Sequence, residues 1–478
     1  MHCNKKLALI LAALLAAQTL SACGGSDTSA DTTSGTNTTA PEETTYEYYH
    51  SLQGTDLGGE TFTIWSPYAE DLFMYIEEET GDLMDDTVYQ RNRSVEEQLN
   101  VKLDYVFHGL GSSGTDQNTA ASYVQSQILA GDNAFDVYLG VQHTGYPGMI
   151  AEGMFLDWNT IPNIDIDQPY WYQGLRDVNY GSKIYMFTGA YCIDAMSSAN
   201  CLLFNKRLLE EAQIEFPYQM VLDGTWTFDK FEQMVAETTR DLNGDTEIKV
   251  GEDQFGYWGW GYEQTYALFM SMKGDIVNKD KDNMPVLDAV NERNIDIVDR
   301  INKFFEQPGA AMEWNDSPGT RTAFSSGLVA FFHASISFVT GSFREMEDDF
   351  GFVPYPKYDE KQEDYPVRVQ NTAKMTYIPT TNNRLDFTGA VLEVMAAESY
   401  NTVIPTYFDT VLTVKGARDT ESEQMVPYIL DGAVFWDAAV TKFRITDCLR
   451  SAKPLTTYFA GVENAVKDEI QTIMDTYQ

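Results

Sequence analysis

The densest set of residues able to do chemistry is Tyr257-Trp258-Gly-Trp260-Gly-Tyr262-Glu263. Aromatic faces cover C–H groups, and a neighbouring carboxylate accepts from hydroxyls. A concave site uses this combination to hold a neutral polar molecule without a covalent step. Gly259 and Gly261 loosen the backbone, and no apolar periodicity asks for so many rings; packing in a core is the other use for them. Reaction centres are scarce by comparison. There is no His-Glu-x-x-His, no Gly-x-Ser-x-Gly, no phosphate loop and no pair of Cys-x-x-Cys motifs. Beyond His2 the only histidines are His50, His108, His143 and His333. A glycoside hydrolase needs just two carboxyl groups about 5 to 10 Å apart, and an acidic chain always offers candidate pairs.

A second constellation is Asp241-Leu-Asn243-Gly-Asp245-Thr-Glu247-Ile-Lys-Val-Gly-Glu252. Asp241, Asn243, Asp245 and Glu252 fall at positions 1, 3, 5 and 12 of an EF-hand-like loop, with the Glu247 carbonyl available at position 7. Oxygen donors without His or Cys suit calcium, in a structural role, rather than zinc or copper. Thr246 stands where such a loop wants glycine for its sharp turn; an Asx-turn loop with solvated acids is the alternative. No other cofactor is implied.

Cys23 carries different chemistry. Lys5 and Lys6 precede an apolar run from Leu7 to Leu20, and Leu20-Ser-Ala-Cys23-Gly24 closes it. The run is about 14 residues, against roughly 20 for a helix that spans a bilayer, so it reads as a secretory signal over 1–22. Leu-Ser-Ala-Cys-Gly resembles the lipobox of bacterial lipoproteins, which implies cleavage before Cys23, a diacylglycerol thioether on its sulfur and further acylation, palmitate included. Several acyl chains hold a protein stably on a membrane where one binds marginally. Residues 23–45 run on from Cys23 with mainly Ser, Thr, Gly, Asp and Glu, one Pro and no large apolar residue, too polar to bury a core, and read as a flexible tether.

The elements that must position these residues follow from the remaining 400 or so. Formal charge is −40, becoming −42 once Lys5 and Lys6 are removed, which excludes nucleic acid as a partner and disfavours anionic ligands. Cys192, Cys201 and Cys448 are an odd number remaining and read as free and buried, a Cys192–Cys201 bridge being the alternative if the chain folds back between them. Strand signals at Thr61–Trp65, Val101–Phe107 and Phe135–Leu139 alternate with helical periods at Asp86–Asn100 and Tyr123–Ala130. The class is α/β, with right-handed crossovers and a parallel sheet. Ligands sit beyond the carboxyl ends of such strands, where Trp65 to Tyr68 and Val141 to Tyr146 fall.

Several segments in order resemble the extracellular carbohydrate-binding proteins of bacterial ABC importers. They are Gly59-Glu-Thr-Phe-Thr-Ile-Trp65, Val88-Tyr-Gln-Arg-Asn-Arg-Ser-Val-Glu-Glu97, Phe135-Asp-Val137, Gly153-Met-Phe-Leu-Asp157, Leu203-Phe-Asn-Lys206, Pro217-Tyr218 to Trp226-Thr227, Phe324-Ser-Ser-Gly-Leu328 and Gly351-Phe-Val-Pro-Tyr-Pro-Lys-Tyr-Asp359. The resemblance covers nearly all of the chain after the signal, and the last three segments are of clostridial type. It implies a two-lobed periplasmic-binding-protein-like fold with a hinge and an interlobe cleft. The first lobe is 46–195 with 371–405, the second 196–370, and a C-terminal helical segment, 406–478, packs across both. The crossings lie near Ala190 to Asn200 and Gln370 to Thr376.

The resemblance also implies a function: a monomeric, lipid-anchored subunit, not an enzyme, that captures a sugar or oligosaccharide on the outer face of the cell membrane. It would deliver its ligand to a permease and ATPase that are separate chains. Binding of a peptide or another polar solute on the same fold is an alternative, and a surface glycosidase a more distant one. The expected ligand contacts are Trp65 and Tyr68 after the first strand, Gln142 and His143 after the third, and Tyr191 and Asp194 at the first crossing. Trp258, Trp260 and Glu263 would follow in the second lobe, then His333 and Ser335 after the apolar strand Val329 to Phe332, and Trp436 in the C-terminal segment.

Overall fold

The computed structural model describes residues 52, 54–68, 74–110, 114–141, 146–249, 251–313, 318–341, 343, 346–408, 419–435, 444–451 and 453–477. Cys23 and the tether lie outside these, and among the described residues no helix is long and apolar enough to cross a membrane.

Thirteen strands are described: β1 (Glu60–Tyr68), β2 (Val101–Leu110), β3 (Val137–Val141), β4 (Asn200–Asn205), β5 (Phe255–Trp260), β6 (Val277–Lys279), β7 (Pro285–Leu287), β8 (Ala310–Glu313), β9 (Val329–Ser335), β10 (Phe350–Val353), β11 (Val367–Val369), β12 (Lys374–Tyr377) and β13 (Ala433–Phe435). They make two main sheets, ordered β12-β3-β1-β2 and β10-β4-β9-β5-β8, and two small pairs, β11-β13 and β6-β7.

In the first sheet β1 lies parallel to β2 (Glu60 opposite Val101) and to β3 (Ile64 opposite Val137). The crossover between β1 and β2 is the helix Leu83–Leu99. Asp82 opens it by accepting from the backbone of Met84 and Asp85, and Asn100 closes it at φ 48°, the left-handed region asparagine tolerates. Its buried face is mixed: Val88, Val95 and Leu99 pack inward, and beside them Arg91 and Asn92 both donate to the Met74 carbonyl. β12 closes this sheet antiparallel to β3.

The second sheet has β5 parallel to β8 and β9, with β4 antiparallel to β9 and β10. The helix Phe228–Thr238, capped by Thr227, sets Phe231 against Tyr257, Phe304 and Phe331, so aromatic edges fill this core.

Two crossing segments join the sheets side by side. Ala199 bridges antiparallel to Val369, Gln370 N donates to Ser198 O (3.0 Å), and the Tyr191 hydroxyl meets Thr376 Oγ1 at 2.7 Å. Cys192, Cys201 and Cys448 are all free and buried. The C-terminal segment is not wholly helical: between helices Thr420–Asp431 and Arg444–Arg450, β13 pairs parallel with β11. Gly432 makes that turn, because a Cβ there would lie 2.1 Å from the Tyr365 carbonyl oxygen.

Candidate functional site

Strand direction brings one edge of each sheet to the crossings. β1, β2 and β3 are parallel and end at Tyr68, Leu110 and Val141, while antiparallel β12 begins with Lys374 opposite Val141. β5, β8 and β9 end at Trp260, Glu313 and Ser335, and β4 begins with Asn200 opposite Ser335. Asn200 follows one crossing segment directly, and Lys374 ends the short stretch that leads out of the other. Both carboxyl edges therefore border the same junction, where α/β proteins place ligands.

On the first-lobe side the ammonium of Lys374 lies 4.6 Å from the centre of the Tyr68 ring and 4.0 Å from Asp194 Oδ1. The other oxygen of Asp194 accepts from the Lys374 backbone at 3.0 Å, and the Tyr68 hydroxyl accepts from Gln117 Nε2 at 2.9 Å. Tyr68 and Asp194 are half-buried. A held ring, an ammonium and a carboxylate thus stand together, able to cover an apolar face and to donate and accept hydrogen bonds.

On the second-lobe side Glu263 lies in the first turn of helix Gly261–Ser271, directly after β5, and forms a buried ion pair with Arg368 of β11. Arg368 also donates to Asn200 Oδ1 at 3.2 Å. One guanidinium so ties the start of β4, the returning crossing and the turn after β5. Next to it Asn200 Nδ2 and Gln264 Oε1 are buried with no hydrogen-bond partner among the described residues. Gly259 is required here, since a Cβ would stand 2.4 Å from Gln264 Oε1 and 2.6 Å from His333 Cβ. Nδ1 of His333 meets the Tyr355 hydroxyl at 2.5 Å. Burial, with the Arg368 charge adding to it, holds the imidazole far below its usual range, at about 3, so near pH 7 it is neutral, with one ring N–H and one acceptor nitrogen. Ser335 Oγ meets Ser337 Oγ at 2.8 Å, and Phe338 carries the Arg321 guanidinium 4.8 Å from its ring centre.

The residues expected from sequence divide into three groups. Tyr68 and Asp194 are brought together at the junction. Trp65, Tyr191, Trp258, His333 and Ser335 are instead packed inside: Trp65 is 1% exposed, stacked on Tyr123 with its indole N–H on His108, and Tyr191 is spent on Thr376. Trp258 packs on Phe255, and the carboxylate of Glu263 belongs to Arg368. Gln142, His143 and Trp436 lie outside the described residues, as does the side chain of Trp260. Lys374 and Arg368 were missed. The signal for Arg368 was legible, a lone charge between Val367 and Val369 in a strand; nothing in the sequence aims Lys374 at Tyr68.

The acidic loop takes a definite form. Asp241 accepts from the backbone of Gly244 and Thr246, Asn243 from Asp245, and Asp245 from Glu247. Thr246 stands at φ 72°, the left-handed turn for which glycine was expected. Oxygens of Asp241, Asp245 and Asp253 lie within 4.8 Å of one another. Buried Asp253 therefore takes the place assigned to Glu252, whose carboxylate instead accepts from Asn243 at 3.2 Å. The Lys249 ammonium is 2.7 Å from both Asp245 and Glu247, so the chain supplies a cation of its own.

No protein-family model and no curated protein matches the sequence. Solved structures do match. The GacH receptor of Streptomyces glaucescens superposes with a TM-score of 0.54 at 15% identity, covering 86% of this chain and 99% of that one. An ABC substrate-binding protein from Listeria monocytogenes, in complex with cycloalternan, gives 0.54 at 14% over 87% and 99%. The cyclic α-maltosyl-1,6-maltose binding protein of Arthrobacter globiformis gives 0.56 at 15% over 88% and 98%. The chain has the two-lobed fold of ABC solute-binding proteins. Tyr68, Lys374 and Asp194 stand at the junction on the first-sheet side, and the turn after β5 stands on the second-sheet side.

Proposed function

We propose that this chain is the capture subunit of an ABC importer for a sugar or oligosaccharide, working by binding alone. The observation that carries the reading is the convergence of both carboxyl edges on one junction, with the Tyr68 ring, the Lys374 ammonium and the Asp194 carboxylate held beside each other. Support comes from structural neighbours described as binding cycloalternan, maltotetraose and acarbose. Ligand bridging both lobes favours a closed form by its differential affinity, and a separate permease with its ATPase takes up the ligand from that form. Net charge of −40 suits a neutral ligand and opposes an anionic one. The chain works as a monomer, held at the outer membrane surface by lipid on Cys23 with 23–45 as its tether. A calcium ion bound by Asp241, Asp245 and Asp253 in place of the Lys249 ammonium would brace the second lobe. The test is a thermal-shift screen of oligosaccharides and peptides on protein starting near Tyr46. A stabilising sugar is the expected result; a flat response to every carbohydrate defeats the reading, and a response to peptides alone moves it to the other solute class.

A further inference from the structure

Helix Gly114–Ala130 lies against β2 and β3, and its buried face is Gln117, Ala120, Ala121, Val124 and Ile128. Steps of three and four are the inward stripe of an amphipathic helix, where an apolar side chain is the ordinary choice. Gln117 is the exception. It is 2% exposed, and an amide taken out of water costs free energy unless it is hydrogen-bonded. Its Nε2 donates to the Tyr68 hydroxyl at 2.9 Å.

Tyr68 stands where the pairing of β1 with β2 slips. Ser66 lies opposite Phe107 but Tyr68 opposite Leu110, so two steps along one strand meet three along the other. Such an irregularity bends the strand end and re-aims its side chain. The ring is left half-buried, with the Lys374 ammonium 4.6 Å from its centre. Backbone holds this ring at Cβ, and the Gln117 amide holds it at the far end, on the hydroxyl. A ring fixed at both ends has little freedom left to lose when a ligand settles on it, which lowers the ordering cost of binding.

We propose that Gln117 is a positioning residue for ligand capture: its buried amide sets the Tyr68 ring at the junction without itself touching the ligand, a role that rests on the reading of the junction as the place of sugar capture. The same role explains why a polar side chain occupies a core-facing helix position.

The test measures binding of maltose, maltotetraose, mannotriose and cellobiose to the intact protein by calorimetric titration. For each of these that binds, Gln117→Met keeps the length of the side chain, removes the donor and should weaken affinity about fivefold, the worth of one neutral hydrogen bond. In a Tyr68→Phe background the same change should add nothing, because no hydroxyl is left to hold. Melting temperatures of the Gln117 variants should stay near that of the unaltered protein, and Gln117→Leu is made alongside so that a second variant carries the test if the first does not fold. With labelled tyrosine, the ring ζ-carbon signal of Tyr68, assigned by its loss in Tyr68→Phe, should move in Gln117→Met before any sugar is added. An unmoved signal overturns the proposal, and so does an equal loss of affinity in both backgrounds, the mark of a merely structural residue. Failure of every probe to bind the unaltered protein defeats sugar capture and this role with it, whereas sugar binding that Gln117→Met leaves unchanged defeats this role alone.

Discussion

Arg368 and Glu263 form an ion pair in which the guanidinium is wholly buried and the carboxylate 5% exposed, at the meeting of a crossing strand and the turn after β5. Two charges taken out of water repay their desolvation only while both are present. Glu263→Gln leaves the guanidinium without its counter-charge and is expected to cost about 3 to 5 kcal/mol. The double change Glu263→Gln with Arg368→Met should recover much of that loss in denaturant melts. A double variant no more stable than Glu263→Gln would refute the pairing argument.

The cleft reading separates affinity from stability. Lys374→Ala should weaken the sugar found by screening about tenfold or more, because an ammonium that can donate and a positioned ring partner are lost together. Its melting temperature should move little. Trp65→Ala should behave in the opposite way, costing about 3 to 5 kcal/mol as a core cavity opens. Calorimetric titration beside thermal melts distinguishes them, and a Lys374→Ala protein with unchanged affinity would remove that wall from the site.

Glu393 offers a pH signature. It is fully buried in the first lobe, where it accepts from the hydroxyl of Tyr170, from Trp171 Nε1 (3.2 Å) and from the Asp165 backbone (3.3 Å). Burial dominates over these donors and lifts its carboxyl to about 7. Below the ordinary glutamate range the folded and unfolded chains are both protonated and the group has no effect. As pH rises from there to about 7 the unfolded chain ionises while the fold keeps its proton, so stability falls, and above about 7 the loss is complete. Glu393→Gln should flatten this part of the stability profile, by at most about 3 kcal/mol. Parallel profiles for the two proteins between pH 5 and 7.5, on the order of the window named, would contradict it.

The acidic loop sets Lys249 against calcium. Calcium should raise the melting temperature and a chelator lower it, with Asp245→Asn removing the difference. Lys249→Met should tighten calcium binding by removing the competing ammonium. Identical melts in calcium and in chelator mean that the lysine alone holds the loop.

Much of the fold was legible because local rules decide it. Capping and period place the helix at Leu83–Leu99, close to the Asp86 to Asn100 expected, and β-branched and aromatic runs place β1 to β3. β13 escaped because three residues carry no periodic signal and pair only after β11 comes alongside. Side-chain destination was the less legible part. Trp65 and Tyr68 lie three residues apart on one strand, yet one enters the core and the other stays half-buried beside Lys374.

That Cys192 and Cys201 do not pair came from the structure; by itself the sequence determined the α/β class, the acidic charge and the strand ends that lie on the carboxyl side of the first sheet. These follow from composition, from periods of 2 and 3.6, and from the direction of parallel strands. Only the tertiary structure decided that Glu263 is spent on Arg368, that Lys374 stands beside Tyr68 while Trp65 enters the core, and that Asp253 rather than Glu252 joins Asp241 and Asp245. Ring, carboxylate and ammonium are equally suited to a core, an ion pair or a ligand. Which of these each one serves depends on groups more than a hundred residues away in the chain, or, in the acidic loop, on one turn of backbone that residue types alone do not specify.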